Sequence, residues 1–180
     1  MHMTKEYHFN PGDYVVYPTH GVGRVTEITN TQLAGQSLDL IAVEFGKENM
    51  VMRIPMTNVG STKLRHLSSK DIMNKAIKSL SGRPVRKKMM WTRRAQEYEA
   101  KINSGDPCLI AEVVRDLNKP TDKGEQSYSE RQVFEHAFDR LVCEYAACEG
   151  IDEEEAKSKL NSILKGSSST VTMDVSSQSL

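Results

Sequence analysis

The stretch MVMRIPMTNVGSTKLRHLSSKDIMNKAIKSL, residues 50–80, changes its hydrophobic period part-way along. From Met50 to Ile54 it reads as a short strand. From Ser68 onward the period is helical. Ser68 or Ser69 caps a helix in which Ile72, Met73, Ala76, Ile77 and Leu80 form one apolar stripe, and Gly82 with Pro84 ends it. A chain that switches once from strands to helices is expected to be α+β, with its β and α parts segregated along the sequence.

Upstream of the switch the strand pattern recurs at Tyr14–Tyr17, Gly23–Thr29 and Leu38–Phe45, in sequence rich in Val, Ile, Tyr and Phe. Turn chemistry separates these runs: Asn10 to Asp13, Pro18 to Gly21, Ala34 with Gly35, and Gly46 to Asn49. Four or five short antiparallel strands in about 55 residues predict a small SH3/Tudor-like β-barrel over residues 1–67. Downstream, a compact all-α domain of about five helices is expected over residues 68–166. Its second helix carries Trp91, Ala95, Tyr98 and Ile102 on one face and closes at Ser104 and Gly105. Asp106 and Pro107 open a third, with Leu109, Ile110, Val113, Val114 and Leu117. After a polar loop, Lys119 to Gln126, Ser127 with Glu130 or Ser129 with Gln132 offers a capping box for a long helix that Gly150 stops. Ile151, Asp152 and Glu155 start a last helix, which Gly166 is expected to end. Residues 167–180, rich in Ser and Thr, read as a disordered tail.

The 180 residues carry 24 basic and 24 acidic side chains, and that balance hides a segregation. Residues 1–68 are neutral, residues 69–105 carry 10 basic against 3 acidic groups, and residues 106–180 carry 8 against 15. A band suited to polyanions lies between a neutral part and an acidic one. No apolar run reaches the roughly 20 residues that cross a bilayer, and the first residues lack a signal-peptide core, so no membrane association and a cytoplasmic location are expected. Cys108, Cys143 and Cys148 match neither a disulfide framework nor a zinc knuckle.

Catalysis requires convergent groups that this sequence lacks. His2, His8, His20, His66 and His136 show no metal-ligand spacing, and neither metal, cofactor nor small-molecule substrate is expected. Gly21-Val22-Gly23 starts like a phosphate-binding fingerprint, but no third glycine follows and a strand comes next. The chemistry sits instead in RPVRKKMMWTRR, Arg83 to Arg94, where Arg83, Arg86, Lys87, Lys88, Arg93 and Arg94 surround Trp91 without an acid. Such a run neutralises phosphates and makes binding salt-dependent, although a solvated helix face has the same composition. Trp91 is an aromatic plane suited to stacking on a base, although a lone Trp at helical spacing with Ala95 and Tyr98 is more often core.

Two stretches carry a resemblance. FNPGDYVVYPTHGVGRV (Phe9–Val25) with MRIP (Met52–Pro55) resembles the polymerase-interacting domain shared by CarD-like regulators and transcription-repair coupling factors. MWTRR (Met90–Arg94) followed by SGDPCLIAEVVRDL (Ser104–Leu117) resembles the helical DNA-binding domain of the CarD and CdnL group. The resemblance implies a bacterial, non-enzymatic, nucleoid-associated transcription regulator that binds the RNA polymerase β subunit and stabilises the open promoter complex at the upstream fork, from the minor groove. It implies that Arg53 and Pro55, with neighbours Met52 and Ile54, contact polymerase. It further implies that Trp91 packs at the fork and that Arg93 and Arg94 contact phosphates; the rest of the basic run, Arg86, Lys87 and Lys88, is read from its charge alone as sequence-independent attraction to DNA. Asn30, Thr31 and Gln32 are neutral where some relatives place a basic residue, and residues 167–180 hold no Lys or Arg, as in the short CdnL type. A protein–protein adaptor without DNA binding, or an RNA-binding protein, also fits the residues themselves.

Overall fold

A computed structural model of the chain describes residues 8–85, 87–119 and 126–170, the last four as backbone only. Arg86, most of the polar loop after Lys119, and residues 171–180 of the expected tail lie outside the described residues. The chain divides into two compact units, Met1–Leu67 and Ser68–Leu180, and it is α+β.

The first unit is a five-stranded antiparallel sheet in the order β4-β3-β2-β1-β5, an SH3/Tudor-like architecture. Its strands are β1 (Tyr14–Tyr17), β2 (Gly21–Leu33), β3 (Gln36–Phe45), β4 (Met50–Pro55) and β5 (Arg65–His66). A register shift between Val25 and Glu27 inserts a bulge into β2, which increases the local twist. Gly23 permits close approach at the bend: a Cβ there would stand 2.6 Å from a Val43 methyl and 2.8 Å from the Phe45 ring. Val15, Val25, Ile41, Val43, Phe45 and Ile54 fill the core.

β2 runs on past its expected end at Thr29 to Leu33, β3 starts at Gln36 ahead of the expected Leu38, and the two meet in a tight turn. Both of its central residues, Ala34 (φ 52) and Gly35 (φ 78), are left-handed, as a two-residue hairpin on twisted strands requires. Between β4 and β5 lies structure that the sequence pattern did not reveal: a 3-10 turn at Met56–Asn58 and α1 (Val59–Thr62). This segment closes the core with Val59 and Leu64.

The second unit holds α2 (Lys70–Leu80), α3 (Trp91–Asn103), α4 (Pro107–Leu117), α5 (Tyr128–Glu149) and α6 (Glu153–Thr170). α4 packs against α2, α3 and α5, and accordingly buries Ile110, Ala111, Val113, Val114 and Leu117. Ser69, not Ser68, caps α2, its hydroxyl accepting from the Ile72 N–H. Ser68 instead donates its N–H (3.0 Å) and hydroxyl (2.7 Å) to the buried Glu144 of α5. Asp106 caps α4, and Ser127 with Glu130 forms the capping box of α5. α6 corrects one expectation: it continues through Gly166 to Thr170. Gly166 does not take up the left-handed conformation that ends a helix, and a glycine inside a helix costs only about 1 kcal/mol relative to alanine. Among the described residues no helix is long and apolar enough to cross a membrane.

Candidate functional site

The basic segment is tethered at its start. The Val85 N–H donates to Asp116 Oδ1 (2.9 Å), and the Arg115 guanidinium holds that same carboxylate oxygen at 2.8 Å. Farther along, Lys87 and Lys88 are exposed, Met89 is half-buried, and Met90 is extended and 77% exposed. The Met90 carbonyl accepts the N–H groups of Arg93 and Arg94, and α3 begins at Trp91. No side chain caps this helix, so its first N–H groups and the positive end of its dipole accompany the indole.

Trp91 is partly exposed, with one side packed on the helical core. Its ring centroid lies 6.4 Å from that of buried Tyr98, and the Arg94 guanidinium carbon stands 5.3 Å from the indole centroid. Trp91 is therefore both a core residue and a surface one. The surrounding cations divide into two sets. Lys88 and Arg93 are exposed, and Lys87, also exposed, pairs with Glu97 at 2.6 Å. Arg94 turns inward: its side chain is 22% exposed, and Nη2 lies 3.3 Å from Glu130 Oε1. The other Glu130 oxygen receives Lys119 Nζ at 2.6 Å. Burial pushes the Glu130 carboxyl up, but the Lys119 ammonium, the Ser127 backbone N–H and the Arg94 guanidinium outweigh it, and the net shift is downward.

The β unit offers a different surface. β4 lies at the sheet edge, paired with β3 on one side. Arg53 is exposed, its guanidinium 3.5 Å from Glu27 across the sheet, and Pro55 is partly exposed. Ile54 does not belong with them. It is 4% exposed and pairs in register with fully buried Ile41, because alternate residues of a strand face opposite sides. Met52 faces the same core and is partly buried. The residue that shares the outer face with Arg53 is Val51, 49% exposed, and the same two-residue alternation could have found it. Met90 is another exposed apolar residue that the sequence reading left out of the site. Among the described residues no group of His, Cys, Asp or Glu is arranged to hold a metal ion.

Comparison with known proteins covers both surfaces. Residues 9–68 match the family model described as the CarD-like/TRCF RID domain, and residues 75–161 match that of the CarD C-terminal domain. YdeB of Bacillus subtilis (strain 168), described as a candidate transcription factor, is 25% identical over 150 residues, spanning 83% of this chain and 98% of that protein. The solution structure of the 72-residue N-terminal domain of Myxococcus xanthus CarD is 30% identical, with a TM-score of 0.30 over 35% of this chain and 84% of that one.

Proposed function

Because this chain belongs to the CarD-like proteins, with both matched domains in series, we propose that it stabilises open promoter complexes while docked on RNA polymerase. Family members are not enzymes, and the mechanism offered is one of differential binding. The exposed edge of β4, with Arg53, Val51 and Pro55, contacts the β subunit. An edge strand carries unpaired backbone groups suited to an extended partner segment, and Arg53 supplies a charge for register. Trp91, Lys88 and Arg93 meet promoter DNA at the upstream fork.

The observation that carries this reading is the position of Trp91. The chain's one tryptophan opens a helix at its electropositive end, leaves part of its ring exposed, and stands beside exposed Lys88 and Arg93. An aromatic group placed where duplex ends is favoured only if the adjacent bases are already unstacked. Such a residue shifts the closed-to-open equilibrium by its preference for the open form. A stacking contact of roughly 1–3 kcal/mol corresponds to about a 5- to 150-fold shift. Tethering to polymerase raises the effective concentration, so weak intrinsic DNA affinity suffices.

Binding to a synthetic fork-junction DNA and to a fully paired duplex of the same length tests the reading. The full chain is expected to prefer the fork, with affinity falling steeply as salt rises, and Trp91→Ala is expected to remove the preference. Equal affinity of the unaltered protein for fork and duplex would refute it.

A further inference from the structure

We infer that Arg94 and Glu130 are positioning residues that hold the Trp91 indole in its binding orientation, and that Arg94 is not itself a phosphate contact. The inference rests on the reading of Trp91 as the group that meets DNA.

A phosphate-binding arginine presents the edge of its guanidinium to solvent. The Arg94 guanidinium carbon stands over the indole, 5.3 Å from its centroid, Nη2 lies 3.3 Å from Glu130 Oε1, and Nε is buried without a hydrogen-bond partner. Exposed Arg93, one residue earlier, has the access that Arg94 lacks. Glu130 is fixed in its turn: it is 7% exposed, bonded to Lys119 at 2.6 Å, and engaged with Ser127 in the capping box of α5. The result is a continuous line of contacts from Lys119, just past the end of α4, through Glu130 in the first turn of α5, to Arg94 and Trp91 in the first turn of α3. Three helices thereby fix one ring.

Fixing the ring matters because ordering a free side chain on binding weakens an interaction. An indole already held in place avoids that loss, which is worth about 2- to 10-fold in affinity. Arginine suits the task because its planar cation lies flat on an aromatic face while its edge still bonds a carboxylate.

The two roles for Arg94 predict opposite signs for Glu130→Gln. If Arg94 were a phosphate contact restrained by Glu130, removing the carboxylate charge would free the guanidinium and tighten fork binding. If the pair positions Trp91, the same change weakens fork binding by about 2- to 10-fold. Glutamine at this place still supports a capping box, which keeps α5 intact. Arg94→Met leaves Glu130 and its capping box untouched and serves if Glu130→Gln unfolds the domain.

The experiment measures fork-junction DNA affinity over a range of salt for Glu130→Gln, Arg94→Met and Arg93→Met. In parallel, acrylamide quenching of Trp91, the chain's single fluorescent indole, is followed in the free protein. Expected are weaker fork binding and increased quenching for Glu130→Gln and Arg94→Met, with the salt slope of Arg94→Met unchanged. Arg93→Met should lower that slope by about one and leave quenching unchanged. Tighter binding by Glu130→Gln, a reduced slope for Arg94→Met, or wild-type quenching in both variants would overturn the inference. Trp91→Ala in the same series keeps the two readings apart. If it binds fork DNA as the unaltered protein does, the reading of Trp91 fails, while quenching still decides whether Arg94 and Glu130 hold the ring.

Discussion

At the scale of single residues, the fold allots side chains of one type to different work. Arg93 and Arg94 are adjacent in sequence, yet one is exposed and the other pairs with a buried carboxylate 36 positions away. That distance is why Arg94 could not be sorted from its neighbours by pattern: its partner stands on α5, and no local spacing couples the two. Trp91 was ambiguous for a related reason, since its spacing with Tyr98 marks a core face and the ring does rest on that face while remaining partly exposed. The Glu130 carboxyl is held below the ordinary glutamate value, which fixes a pH dependence. Its stabilising contribution is complete above about pH 4.5 and is lost as the pH falls through the depressed folded value. Acid titration of helical content should therefore show a stability loss below about pH 4.5 that is smaller in Glu130→Gln; identical acid profiles would contradict the assignment. On β4, Arg53→Glu should abolish capture of the polymerase β subunit while shifting stability by no more than about 0.5 kcal/mol. Ile54→Val should do the reverse, lowering stability by about 0.5–1.5 kcal/mol and leaving capture intact. Loss of capture in Ile54→Val alone would return Ile54 to the contact surface.

At the scale of elements, most of the architecture was legible because most elements are long enough to show a period. The stripe on α2, of which Met73, Ala76 and Leu80 are buried while Ile72 is exposed, the Asp106-Pro107 start of α4 and the Ser127–Glu130 box of α5 are all written locally. The segment from Met56 to His66 was not legible. Its helix has four residues and its strand two, so neither completes a pattern, and Val59 and Leu64 are buried by tertiary packing alone. The end of α6 was misread because a glycine near a helix terminus stops the helix only when it adopts the left-handed form, which sequence does not reveal. The β2–β3 turn gives a prediction at this scale. Ala34 sits at φ 52, a conformation that alanine enters at a cost of about 1 kcal/mol, whereas asparagine tolerates it. Ala34→Asn should therefore stabilise the β unit by about 0.5–1 kcal/mol in denaturant unfolding; a loss of stability would show that the turn is not under this strain.

At the scale of the whole molecule, charge segregation along the sequence was the first sign of divided labour, and the proposed function assigns it to separate surfaces on the two units. The β unit offers an edge strand with Arg53 and Val51, and the helical unit offers Trp91 between exposed cations. On the proposed function, covalent linkage makes attachment to polymerase and attachment to DNA each raise the local concentration for the other, so both surfaces need to be intact in one chain. The lifetime of competitor-challenged open complexes, formed with purified RNA polymerase and this protein, addresses that claim most directly. The unaltered chain is expected to lengthen the lifetime, while Trp91→Ala, still folded and still captured by the β subunit, returns it toward that of polymerase alone. A Trp91→Ala protein that prolongs open complexes as well as the unaltered chain does would contradict the account.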